Sequence, residues 1–99
     1  MPVSPHAVIA EVADYYKLPA EKIKSHSRHP DVVHAQDITM HLLRQLSSLP
    51  DEKIAMEMSR QKDAVVKSRK KIKKTLADEN NTTGVEILII STKLKKSER

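Results

Sequence analysis

Residues 60–74, RQKDAVVKSRKKIKK, place eight Lys or Arg side chains on fifteen positions beside one acid, Asp63. Ammonium and guanidinium groups at this density attract phosphates, release condensed counterions and hold a polyanion without reading its sequence. Wound as a helix of 3.6 residues per turn, the run puts Asp63, Lys67, Lys70 and Lys74 on one face. Val65, Ser68, Ile72 and Leu76 fall on the other. Lys71 adds a further cation to the same run. The first residues carry groups able to address base edges. Gln61 can bond adenine bidentately, Lys62 and Arg60 can donate to guanine, and Ala64 can touch a thymine methyl. Asp63 repels phosphate but can accept from cytosine N4. A local account stands beside this one: Asp63 and Lys67 have the i,i+4 spacing of a surface ion pair, and nothing then reads bases.

Other chemistries find less support. Five histidines stand at positions 6, 26, 29, 34 and 41, and His26, His29 and His34 lie around one polar loop. With no cysteine and no metal-ligand spacing, exposed loop histidines are a better account than a zinc site, and no cofactor is expected. The one glycine, Gly84, excludes a glycine-rich phosphate cradle, and no Ser/His/Asp set is bracketed by a suitable turn. No enzymatic activity is expected.

The net charge of +5 is local. Residues 1–59 hold six Lys or Arg against eight Asp or Glu, and residues 75–99 hold four of each. Such a focused patch points to a polyanionic partner. No apolar run nears the roughly 20 residues of a membrane span. The start, MPVSPHAVIAEVADYY, lacks the basic and apolar regions of a signal peptide, so a cytoplasmic, nucleoid-associated protein without membrane contact is expected.

The elements that must carry these residues are helical. Apolar residues make up 38% of the chain, with no Phe or Trp, so the core must be aliphatic. One glycine is too few for tight hairpins. Ser4 as N-cap and Pro5 at N1 open a first helix, whose face carries Ile9, Val12, Ala13 and Tyr16. LPAEKIK restarts with Pro19 at N1, and SHSRHPD (25–31) reads as an exposed loop closed by its proline. A third helix runs from about Val32 to Leu46, with Ala35, Ile38, Leu42 and Leu46 on one stripe. Pro50 at N1 opens a short fourth helix. Ser59 is suited to cap the fifth, which ends at DENNTT (78–83). GVEILIISTKLKKSER has strand propensity in VEILII. The Thr83–Glu86 capping-box spacing and the lack of a partner strand favour a sixth helix with a basic tail.

A short fourth helix, a tight break and a longer basic fifth form a helix-turn-helix pattern. At this point VADYYKLPAEKIKS, followed by SR and VVHAQDITMHLLRQLSSLPDEKIA, resembles the C-terminal DNA-binding domain, domain IV, of the bacterial replication initiator DnaA. The resemblance spans about residues 5–76 and implies an all-α, Trp-repressor-like bundle of about six helices, with residues 1–99 forming a single domain. It also implies double-stranded DNA as partner. The family signature GGRDHTTV…RKI is altered here to SRQKDAVVKSRKKI. With one residue fewer in the turn, Arg60 matches the signature Arg. Gln61 and Lys62 then take the Asp and His positions, and Asp63 and Ala64 replace the two Thr. An ungapped alignment instead puts Gln61 at the Arg. Arg28 matches an arginine of the family's minor-groove loop, and His34 and Gln36 stand where the family has arginines near the start of helix three.

The resemblance therefore implies a small DNA-binding protein, an accessory or regulator of replication or transcription, with altered or weak sequence specificity. The expected DNA-binding residues are Arg28, His34, Arg60, Gln61, Lys62, Asp63, Ala64, Lys67, Lys70, Lys71 and Lys74. The ATPase module that accompanies this domain in the initiator has no counterpart in these 99 residues. The alternative is a protein-interaction module on the same scaffold that has lost base reading and meets an acidic protein partner.

Overall fold

Prolines and left-handed residues, rather than glycines, punctuate this chain. A computed structural model describes residues 3–78 and 80–97, and the end of the basic tail lies outside them. Six helices follow in order: α1 (Pro5–Tyr15), α2 (Ala20–Ile23), α3 (Pro30–Gln45), α4 (Asp51–Met58), α5 (Lys62–Leu76) and α6 (Thr83–Ser97). No strand occurs among the described residues, and the protein is all-α. Pro5 and Pro30 occupy the first helical positions of α1 and α3, where a missing N–H costs nothing. At the other helix ends, Lys17, Ser48 and Ser59 adopt φ of 54–56°. This left-handed conformation is usually a glycine's.

The long helix α3 is the hub, packing against all five others. Its residues Ala35, Ile38, Leu42 and Leu43 are fully buried. Val8 and Val12 of α1, Ile23 of α2, Ile54 and Met58 of α4, Val65 of α5, and Ile90 and Leu94 of α6 complete an aliphatic core. Each fully buried side chain of this size contributes about 1.5–3 kcal/mol. Val3 joins the core, and its carbonyl accepts from Ser47 Oγ at 2.6 Å, pinning the chain start to the end of α3.

VEILII is helical because its inward positions have a core to enter. Ile87, Ile90 and Leu94 pack inward, with α6 resting on α1, α3 and α5, while Val85, Leu88 and Ile89 face out. The expected Thr83–Glu86 capping box does not form. Thr83 is already helical, and Asn81 Oδ1 accepts from Gly84 N at 2.8 Å. Glu86 instead links α6 to α3 and to the end of α1, accepting from Oη of Tyr16, the α1 C-cap, at 3.0 Å and lying 3.2 Å from His34 Nε2 of α3.

Other boundaries also depart from the sequence reading. Pro19 and Pro50 sit at the N-cap rather than N1, and Ser4 takes the N-cap position of α1 without a side-chain bond. Pro30 opens α3 instead of closing the loop, because His29 Nδ1 accepts from Asp31 N at 3.3 Å and caps the helix two residues early. Ser59 does not cap α5. It closes α4 in a Schellman motif, with Arg60 N donating to Ala55 O at 2.8 Å, and Gln61 takes the N-cap position of α5.

Candidate nucleic-acid interface

Helices α4 and α5 are joined by three residues, Ser59 to Gln61. The left-handed Ser59 supplies the sharp change of direction. Ile54, Ala55 and Met58 of α4 and Val65 and Ile72 of α5 share the core cluster with α3, which fixes the two helices in a helix-turn-helix. The stripe expected to face inward does so: Val65, Ser68 and Ile72 are buried and Leu76 is half-buried. Asp63, Lys67, Lys70 and Lys74 form the exposed crest. The Asp63–Lys67 pair suggested by spacing is not among the ion pairs of the described residues, and no pair involves Lys70 or Lys74 either.

The flanking cations, by contrast, are tied down. Asp37, a buried carboxylate on α3, accepts from Ser68 Oγ at 2.6 Å and from Lys71 Nζ at 2.9 Å. Arg69 pairs with Asp51 in the first turn of α4. Lys62 pairs with Glu52 at 3.1 Å, and this hydrogen bond raises its pKa. Arg60 turns to the loop before α3. One terminal nitrogen donates to Ser25 O at 2.6 Å and the other lies 2.9 Å from His26 Nδ1. Burial lowers the Arg60 pKa while nearby Asp37 opposes the shift; a guanidinium remains charged all the same.

Of the residues singled out from sequence, Arg60, Gln61, Lys62, Asp63, Ala64, Lys67, Lys70, Lys71 and Lys74 share α5 and its lead-in. Arg28 is exposed on the loop that Arg60 holds. His34 stands apart, engaged by Glu86 and in edge contact with Tyr16, with ring centroids 5.7 Å apart. Desolvation and the Glu86 contact push the Tyr16 pKa far up.

Sequence reasoning passed over the residues that organise this face. Asp37, Ser25, His26 and Arg69 act through partners 18 to 35 positions away, so no short-range spacing announces them. A groove between α3 and α5 is lined by Val33, Asp37, Met40, Ala64, Lys67 and Lys71. On the far flank of α5, His41 and Arg44 of α3 face Arg69, Lys70 and Lys73 across a second cleft. Burial, then the Arg69 charge, lowers the His41 pKa, and a Gln45 hydrogen bond partly offsets them. Among the described residues no His/Asp/Glu group is arranged to hold a metal ion, and no helix is long and apolar enough to cross a membrane.

The helix-turn-helix formed by α4 and α5 agrees with the family to which the sequence is similar. Residues 5–72 match the bacterial DnaA protein helix-turn-helix family. The chain belongs to that family. It is 41% identical over 56 residues to the chromosomal replication initiator protein DnaA of Cutibacterium acnes. The aligned segment covers 57% of this chain and 11% of that protein, so the chain spans only a small part of its relative's length. The DnaA family match ends at Ile72, inside α5, and leaves α6 beyond it. Membership in this helix-turn-helix family suggests DNA binding.

Proposed function

We propose that this chain binds double-stranded DNA, with α5 in the major groove and the 25–29 loop against the neighbouring minor groove. A helix with its side chains is about 10–12 Å across, which matches a major groove about 12 Å wide. The observation that carries this reading is the crest of α5. Lys67, Lys70 and Lys74 are exposed, aligned and without ion-pair partners among the described residues. Lys71 stands beside them, held by Asp37 at the edge of the α3–α5 groove.

Base reading in this proposal falls to Gln61, Lys62, Asp63 and Ala64. Lys62 is exposed, and its surface pair with Glu52 costs little to exchange for a nucleic-acid contact. The family's His and Thr side chains are missing at these positions, and each lost base contact removes about 1–3 kcal/mol of discrimination. Two or three such losses erase most of the usual gap of about 4–10 kcal/mol between specific and non-specific binding. The chain then acts as an accessory or regulatory DNA-binding protein in replication or transcription with weak sequence preference. A competition titration at physiological salt tests this: a DnaA box and a scrambled duplex of equal length should compete within about tenfold. A preference of about a hundredfold would contradict it.

A further inference from the structure

We infer that Arg60 is a positioning residue, whose guanidinium locks the 25–29 loop to the helix-turn-helix so that both meet one duplex as a unit. The inference rests on the proposed DNA binding and adds to it how the two contact regions are held in register.

Both ends of Arg60 are fixed. Its backbone N–H donates to Ala55 O at 2.8 Å, one residue after the left-handed Ser59. Its side chain spans two consecutive loop residues, reaching Ser25 O at 2.6 Å and His26 Nδ1 at 2.9 Å. A guanidinium only donates, so His26 Nδ1 must be the acceptor and carry no proton. Ser25 O also accepts from Gln36 Nε2 at 2.6 Å, and the same amide nitrogen reaches Lys22 O at 3.1 Å. The Ser25 carbonyl therefore joins α3 to the turn before α5, and the Gln36 amide ties both to the end of α2.

Beyond that carbonyl the loop is stiffened by its own side chains. Ser27 N donates to Ser25 Oγ at 3.4 Å, His29 N to Ser27 Oγ at 3.2 Å and Asp31 N to His29 Nδ1 at 3.3 Å. Arg28 is left exposed between them. The Arg60 fork holds residues 25 and 26 to the lead-in of α5, and the Ser27 and His29 bonds carry that restraint on to Arg28. Side-chain chemistry alone let Arg60 donate to guanine, yet both terminal nitrogens face the loop.

Lysine separates the two roles, because it keeps the charge and loses the two-pronged geometry. In the free protein, Arg60→Lys should speed amide exchange at Ser27 and His29 on the order of tenfold. Core amides of α3 and α5 should stay unchanged, which shows that the fold survives. On duplex DNA, Arg28→Ala in the wild-type background should weaken binding by about tenfold at 0.1 M salt. In the Arg60→Lys background the same change should cost less than about twofold, because a loop already released no longer delivers Arg28. Unaltered loop exchange in Arg60→Lys would overturn the inference, as would effects of Arg28→Ala and Arg60→Lys that multiply independently. Failure of the wild-type chain to bind duplex at all would remove the proposed function and this inference together. Wild-type binding with independent effects would remove the inference alone.

Discussion

The crest and the flanks of α5 carry the same kinds of side chain and behave differently. On the crest, Lys67, Lys70 and Lys74 are exposed and have no ion-pair partner among the described residues. On the flanks and lead-in, Arg60, Lys62, Arg69 and Lys71 are each drawn to an acceptor: the Ser25 carbonyl, Glu52, Asp51 and Asp37. Arg60, Arg69 and Lys71 are tied to the frame of the helix-turn-helix, Lys62 is held only by an exposed pair that exchanges readily, and the untied crest remains available to phosphate. Net charge counts the two groups alike, and only the fold separates them.

Acids on the two sides of α5 offer the largest contrast in stability. Asp37→Ala leaves buried Ser68 without its acceptor and Lys71 without its counterion, and should cost about 2–3 kcal/mol in denaturant unfolding. Asp63→Ala, on the crest, should change stability by less than about 0.5 kcal/mol and should tighten binding to scrambled duplex, where no cytosine contact offsets the charge that repels phosphate. Equal stability effects at the two positions would erase the distinction drawn between crest and flank.

A smaller effect concerns the second cleft. The folded state holds the His41 pKa below its unfolded value, so the unfolded chain binds that proton more readily. The contribution of a neutral His41 is present above the unfolded pKa, near 6.5, and is lost as pH falls through that value towards the lower folded pKa. Thermal unfolding of wild type should therefore lose more stability between about pH 7 and pH 5 than His41→Gln does. The groups facing His41 there are Arg44, Arg69, Lys70 and Lys73, with Asp51 behind Arg69. Identical pH profiles would show that His41 titrates alike in both states.

The smallest expected effect lies far from the interface. A Cβ at Gly84 would meet Asn81 Oδ1 and Leu76 Cδ2 at 3.5 Å, which is ordinary contact. Gly84→Ala should therefore stabilise α6 by about 0.5 kcal/mol and leave DNA affinity unchanged. Destabilisation would mean that the start of α6 packs more tightly than these distances allow.

What could be read from the sequence was what short-range periodicity controls. The Val65–Ser68–Ile72–Leu76 stripe and the Ala35–Ile38–Leu42 stripe were visible because burial on one helix face imposes a 3.6-residue repeat. The family resemblance located the helix-turn-helix, and the family match over residues 5–72 agrees with it. Local motifs failed where a distant partner competed for the same side chain. Glu86 had the spacing for a capping box, yet Tyr16 and His34 take its oxygens. Ser59 looked like an N-cap, but a chain with one glycine uses it for a left-handed helix end. Arg60 was legible as a cation and not as a strut, because its partners lie 34 and 35 residues earlier.

The most direct test of the account is the salt dependence of duplex binding by the Lys67→Ala/Lys70→Ala/Lys74→Ala variant. Losing three phosphate contacts should lower affinity on the order of several hundredfold at 0.1 M salt and reduce the slope of log affinity against log salt by about 2.7. The variant should remain folded, since all three side chains point away from the core. A folded variant with wild-type affinity and slope would contradict the claim that the crest of α5 faces DNA.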